Sequence, residues 1–310
     1  MYIRWPLLLL LAPIDAMRVV VFGGSGFVGV HVCKALASSG CTVVSVSRNG
    51  RLSLGPTDLR GNQEPNLRQF RGEPWVDSVE WIQADASEPG AAAQALIGGV
   101  DGVVSLIGAG DVLKPSSNGW TGNIWSAESE RLYAQNYDPN AAVVAAAKAA
   151  GARRFVFVGV ASEAEIGFAG SLPGIYTGKR DAAQAAQDAF GDAFVYFGPH
   201  LVCRAGDVRL RALDSPWARA LMATNEAIGK VASLGEDYTR RCALTPPVTA
   251  EDLALGIAST VAGKCEVPES ERYAGMTTPS GGVGTKIRIV GRHVDGTGDI
   301  NALAEAAQKL

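Results

Sequence analysis

Between an apolar run at 17–22 and a helical pattern that begins near Ser25, three glycines stand three residues apart: Gly23, Gly26 and Gly29 in MRVVVFGGSGFVG. Glycines at this spacing suit one kind of chemistry, the holding of a diphosphate by main chain. Gly23 lets the chain turn sharply out of a buried strand, Gly26 lets backbone approach a pyrophosphate, and Gly29 lets the next helix lie close to the sheet. The helix start, through Ser25, Phe27 and Val28, then offers amides and the positive end of its dipole to the phosphates. An ordinary glycine-rich turn is the alternative reading. The strand before the turn and the helix after it favour the dinucleotide site.

The next candidates come after the second and later strands. A dinucleotide without a 2′-phosphate calls for an acid at the end of the second strand, and a 2′-phosphate calls for cations. Here the sequence is Ser47, Arg48, Asn49, Gly50, Arg51, with no carboxylate and two guanidinium groups. That favours NADPH over NAD(H), because arginine bonds phosphate bidentately; two solvated loop arginines are the alternative. Asp85 follows the third strand and could accept from the adenine amino group. Gly108 and Ala109 follow the fourth, where small residues let backbone lie over the adenosine. Each of these is equally compatible with a strand-end turn.

The elements that must position these residues alternate. The patterning predicts a helix over 27–39 closed by Gly40 and a buried strand over 42–47. Further strands are expected at 79–83, 101–107, 154–160 and 193–198, separated by helices at 89–98, 125–150 and 174–190. This alternation implies an α/β fold, a doubly wound parallel sheet of Rossmann type with right-handed crossovers. Residues 49–77 are polar and rich in Gly, Pro and Arg and read as a long loop with at most a short helix. Beyond residue 200 the alternation stops. A helix at 250–262, a strand at 285–290 and a helix at 300–309 stand out in a smaller mixed C-terminal region. The expected organisation is an apolar extension over 1–16, a dinucleotide-binding domain over 17–200 and a substrate-side or partner-contact region over 201–310.

With 310 residues, 47% of them hydrophobic and 19% charged, the chain can bury a large core. A net charge of −3 argues against nucleic acid as a partner. Five scattered cysteines and three separated histidines argue for a reducing compartment and no metal site. WPLLLLLAPI near the N-terminus is apolar for about ten residues, too short to cross a bilayer. It reads as a targeting segment, a docking arm or residues upstream of a start at Met17.

With these residues placed, the chain resembles the short-chain dehydrogenase/reductase superfamily in its extended or atypical branch. The resemblance covers residues 17–260, through GGSGFVG, ADAS, NYDPNAAVVAAAKAAGARRFVFVGVAS, YTGKR and PPVTAEDLA. Within it, VFGGSGFVGVHVCKALASSGCTVVSVSRNGR and GARRFVFVGVAS look like the Rossmann-type accessory subunit of mitochondrial respiratory complex I and its coenzyme-Q-related relatives. In catalytic members a tyrosine moves the proton, a lysine four residues later lowers its pKa and binds ribose, and a serine after the fifth strand orients the carbonyl. The resemblance assigns these roles to Tyr176, Lys179 and Ser162, with Asn136 as a supporting residue and Pro199 beside the nicotinamide. Tyr176, however, precedes Lys179 by three residues, and the position four before is Ile175. A shift of one residue rotates a helical side chain by about 100°. A bulge or an unwound helix start at Gly174 is what could restore its aim. His200 is a candidate replacement acid or a partly buried histidine.

Two functions are consistent with these residues. In the first, the chain is an NADP(H)-binding, non-catalytic accessory subunit of complex I, a large membrane-associated assembly, on the matrix side of the inner mitochondrial membrane. In the second, it is an active NADPH-dependent reductase or isomerase of a carbonyl or quinone-like compound. A nucleotide-gated regulatory protein shares the same features.

Overall fold

The computed structural model of the chain describes residues 16–51, 70, 72–108, 127–162, 164–165, 173–203, 245–277 and 283–310. The first strand, β1 (Arg18–Phe22), lies at the centre of an eight-stranded sheet. Its neighbours are β2 (Thr42–Ser47) and β4 (Gly102–Ser105). Beyond β2 lies β3 (Glu80–Gln83); beyond β4 come β5 (Arg154–Val158) and β6 (Phe194–Gly198). These six strands are all parallel. The order β3-β2-β1-β4-β5-β6 reverses direction between β1 and β4, which opens a crevice at the carboxyl ends of those two strands.

Side-chain alternation along β1 divides the interior. Val19 and Val21 face one side, packed with Val32 and Leu36 of α1 (Phe27–Ser38) and Leu253 and Ile257 of a helix over Ala250–Val261. Val20 and Phe22 face the other, with helical Val143, Ala182 and Ala186 and with Phe155 and Phe157 of β5. Helices therefore cover both faces, as a buried parallel sheet requires. Each fully buried Phe contributes roughly 1.5–3 kcal/mol.

The helices fall where they were expected, although the one expected over 89–98 is shorter and the one expected over 300–309 starts four residues earlier. Besides α1 they are α2 (Pro74–Ser78), α3 (Ala91–Ala95), α4 (Ala127–Ala149), α5 (Pro173–Phe190), α6 (Ala250–Val261) and α7 (Gly296–Gln308). Gly40, at φ 81°, follows the end of α1 in the left-handed conformation that glycine tolerates. Thr249 caps α6 by accepting from the Asp252 amide at 3.0 Å. Cys33, Cys41 and Cys265 are free thiols; Cys242 lies outside the described residues.

The C-terminal strands differ from expectation. β10 (Val283–Asp295) is far longer than the predicted 285–290, and β9 (Glu269–Thr277) was not foreseen. β10 pairs antiparallel with β9 along most of its length, then parallel with β6 through His293–Asp295. It thereby extends the main sheet. β9 escaped the periodicity argument because a buried position carries a charge: Arg272 is buried, next to exposed Glu271. Short β7 (Val202–Cys203) and β8 (Val248–Thr249) form a separate two-stranded sheet.

Helices α4 and α5 pack closely at two glycines one turn apart. A Cβ at position 174 would overlap the Ser129 carbonyl oxygen, and one at position 178 would lie 2.8 Å from that of Tyr133. Gly298 is helical, exposed and has open space around it. Gly174→Ala is expected to destabilise the chain by about 2–4 kcal/mol and Gly298→Ala to stabilise it by about 0.5–1 kcal/mol, both read from urea unfolding.

Candidate dinucleotide site

The turn after β1 is built from backbone. Gly23 adopts φ 85°, and its amide donates to the Val46 carbonyl at 2.8 Å. The Gly26 amide donates to the Gly23 carbonyl at 2.9 Å, and the Val30 amide to the Gly26 carbonyl at 3.1 Å. A Cβ on Gly29 would overlap the Gly23 carbonyl, so only glycine lets α1 run against the turn. Gly26 is the N-cap of α1; no side chain caps it and the first turn carries no acid. This helix end is suited to an anion supplied from outside the chain.

One supporting residue was missed. A Cβ on Gly24 would overlap the Ser45 hydroxyl and lie 3.0 Å from Cys33 Sγ. The turn thus rests on β2 and α1 through a second unsubstituted position. Burial pushes the Cys33 thiol up to about 12, against an opposing hydrogen bond with Ser45, so Cys33 packs as an apolar group. Adjacency of Gly23 and Gly24 was the available signal.

At the end of β2 the hydroxyl of Ser25 donates to that of Ser47 at 2.6 Å, which joins the turn to the strand end. Arg48 is exposed. Arg51 is turned toward Asp77 and forms an exposed ion pair with it. Asp85 accepts from the Ser87 hydroxyl at 2.7 Å and the Ser87 amide at 3.0 Å through one carboxylate oxygen. Those bonds, and more weakly the Arg48 charge, hold its carboxyl below the usual range.

The ends of β4 and β5 converge on Lys179. Its Nζ donates to the carbonyls of Ile107 and Val158, each at 3.2 Å, and lies 5.6 Å from the Phe157 ring centroid. A Cβ on Gly108 would sit 3.1 Å from that Nζ and 3.7 Å from Asn136 Oδ1. Asn136 is fully buried and donates to the Leu132 carbonyl at 2.7 Å. Asn140 accepts from the Ser105 hydroxyl and donates to the Asn136 carbonyl at 2.7 Å. The Lys179 ammonium and Asn136 are therefore assembled beside Gly108. Ala109 lies outside the described residues.

The residues to which the resemblance assigns proton handling and carbonyl orientation are placed differently. Tyr176 is half-buried on α5, which is helical from Pro173 onward, so the helix start at Gly174 is not unwound. Position 176 therefore keeps its offset of one residue. Ser162 is buried, but its hydroxyl and its amide both donate to Asp295 at the end of β10. Pro199 accepts from the Ala161 amide at 3.1 Å. His200 is half-buried next to it.

Sequence reasoning also missed a buried ionic group behind this loop. Arg272 donates to Glu165 at 3.2 Å, both being under 5% exposed, and its guanidinium lies 4.0 Å from the Tyr196 ring centroid. The Tyr196 phenol donates to the Val160 carbonyl at 2.6 Å and accepts from the Val160 amide at 2.8 Å. Burial, then the Arg272 charge, pushes His293 down to about 4. Only the sheet's topology brings residues from β6, β9 and β10 to this point.

Burial lowers the Lys179 ammonium to about 8 from its ordinary 10.5. The folded chain therefore releases this proton before the unfolded chain does, and stability rises with pH between about 8 and 10.5. Wild type is expected to gain up to about 3 kcal/mol relative to Lys179→Met across that window, measured by urea unfolding at stepped pH.

Known proteins resemble this chain in sequence or in fold. An uncharacterized chloroplastic protein of Arabidopsis thaliana is 30% identical over 266 residues, 81% of this chain and 74% of that protein. MIOREX complex component 2 of Saccharomyces cerevisiae is 33% identical over 72 residues, 23% of this chain and 22% of the yeast protein. The Bordetella bronchiseptica enzyme WbmH, solved in complex with NAD+, has the same fold at 15% identity, with a TM-score of 0.50 over 80% of this chain and 72% of that one. The profile of a family described as NAD(P)H-binding matches residues 23–189, from the first glycine of the turn almost to the end of α5. With the glycine turn at its start and Lys179 inside its span, that match identifies the chain as a member of the NAD(P)H-binding family.

Proposed function

We propose that the chain retains NADP(H) as a stably bound ligand and has given up efficient hydride chemistry, serving as an accessory subunit of a larger assembly. The observation that carries this reading is the separation of the two halves of the cleft. The diphosphate cradle, Lys179 and Asn136 are assembled, whereas the Ser162 hydroxyl is given to Asp295 and Tyr176 stands three residues before Lys179 in unbroken helix. A bound nicotinamide supplies hydride; polarising a carbonyl is left to the protein, and here that part is weakened.

In this reading the turn and helix start from Gly23 to Gly29 hold the diphosphate, with Gly26 serving by its missing side chain because its amide is spent on Gly23; Ser47 and Arg48 face the 2′-phosphate, and Asp85 with Gly108 and Ala109 flanks the adenosine. Lys179 bonds the second ribose and Pro199 lies beside the nicotinamide. Arg51 contributes little, because Asp77 already engages it. NADP(H) is favoured over NAD(H) by the missing carboxylate at the end of β2. A bound ligand stabilises the fold by mass action. Residues 17–200 supply most of the nucleotide-binding part; partner contacts fall to the 1–16 extension, to residues 49–77 and to the outer surface of residues 201–310, whose α6 and β10 also complete the core and the main sheet.

The assembly to which the sequence resemblance points is mitochondrial respiratory complex I, with the chain on the matrix side of the inner membrane. An organellar location is supported by the apolar N-terminal stretch and by the chloroplastic Arabidopsis relative. Among the described residues no helix is long and apolar enough to cross a membrane.

One observation favours a working NADPH-dependent reductase: the enclosed Lys179 ammonium between the ends of β4 and β5. Steady NADPH oxidation by added quinones or aldehydes, lost in Lys179→Met and Tyr176→Phe, would establish that alternative. The accessory reading expects no turnover with the nucleotide site filled, and a native mass after gentle extraction well above that of the single chain. Arg48→Ala is expected to weaken NADPH binding about tenfold and NADH binding less than about threefold, with Arg51→Ala nearly neutral, by titration calorimetry.

A further inference from the structure

Asp295 ends β10 and stands at the N-cap of α7, where an aspartate ordinarily accepts from the amides of its own helix. Its carboxylate makes no such bond. It reaches across instead to the loop after β5, where Oδ1 accepts from the Ser162 amide at 3.0 Å and Oδ2 accepts from the Ser162 hydroxyl. Asp295 pairs with Gly198 in the β10–β6 register, and a Cβ on Gly198 would lie 2.5 Å from Asp295 Oδ1. The carboxylate therefore fills space that any side chain at position 198 would take. The same loop is fastened by the Tyr196 phenol at Val160 and by the Pro199 carbonyl at Ala161.

The location of this loop is set by the strand order. With a diphosphate at the end of β1 and the adenosine toward β2, the other half of a dinucleotide runs over the ends of β4 and β5. Residues 159–162 continue from β5 at that place.

We propose that Asp295 is a positioning residue for the nicotinamide half of the bound dinucleotide, fixing residues 159–162 beside it and holding the Ser162 hydroxyl out of carbonyl polarisation. The inference rests on the nucleotide-binding reading above and deepens it. A hydroxyl that donates its only hydrogen to a carboxylate can accept from a neighbour but cannot donate to a substrate carbonyl. Ser162 thereby becomes a structural partner of the C-terminal strand, and the nicotinamide end is held by residues that come together only when β10 joins β6.

The test uses the full chain and compares whole dinucleotides with their adenosine halves: NADPH against 2′,5′-ADP, and NADH against ADP. Asp295→Ala is expected to weaken the whole dinucleotide about tenfold and to leave the adenosine half within about twofold. Asp295→Asn, which keeps an acceptor for the Ser162 amide, recovers most of the loss. Adding Ser162→Ala to Asp295→Ala causes no further loss, because the two act through one contact. Gly198→Ala, which displaces the carboxylate without removing it, gives the same split between ligands and stands in should Asp295→Ala fail to fold. Equal weakening of both ligand halves, or of neither, overturns the proposal. A wild-type chain that binds none of the four ligands overturns the nucleotide reading itself, and this inference falls with it.

Discussion

A helix can present its amide-rich end to an anion only if its axis passes close to the strand before it, and here that approach depends on the missing side chain of Gly29. The Gly23 carbonyl occupies the space where a Cβ would sit. Gly24, pressed against Ser45, and Gly26, which lets the chain enter α1 without a capping side chain, extend the same constraint. The arrangement of the sheet around the turn is bound by it. β1 must be central, its two faces must both be buried, and the carboxyl ends of β1 and β4 must be left open.

The two ends of the cleft so formed are built from different groups, and in the proposed reading the first binds while the second no longer polarises a carbonyl. At the binding end the groups are backbone amides, hydroxyls and an exposed arginine. Farther along, Lys179 is held by two strand-end carbonyls rather than by a carboxylate, so its burial is compensated by hydrogen bonds without a counter-charge. Behind the β5 loop, the Glu165–Arg272 pair and Tyr196 replace apolar packing by a polar cluster. Such clusters give stability only when their geometry is closely satisfied, so they make a core more particular rather than simply stronger.

Much of this could be read from residue order. The glycine spacing located the turn, β2 runs over Thr42–Ser47 where a buried strand was expected, and α4 and α5 lie within a few residues of their expected ends. These features are local, governed by periodicities of two and 3.6 and by turn chemistry. What stayed hidden was non-local. Ser162 reads equally as a carbonyl-orienting hydroxyl or as a partner for a distant acid, and nothing near it in sequence points to Asp295. β9 was not expected, and the partner that lets Arg272 be buried in it, Glu165, lies 107 positions away. Arg51 looked as available as Arg48 until Asp77 was found beside it.

β10 is a strand with two allegiances, antiparallel to β9 along most of its length and parallel to β6 at its last three residues. Its junction with β6 joins segments about one hundred residues apart, a closure whose entropic cost is met only by contacts made at the very end of the process. During synthesis the first six strands can find one another while the outer edge of β6 stays uncovered. That edge is a template for another strand until His293–Asp295 arrive.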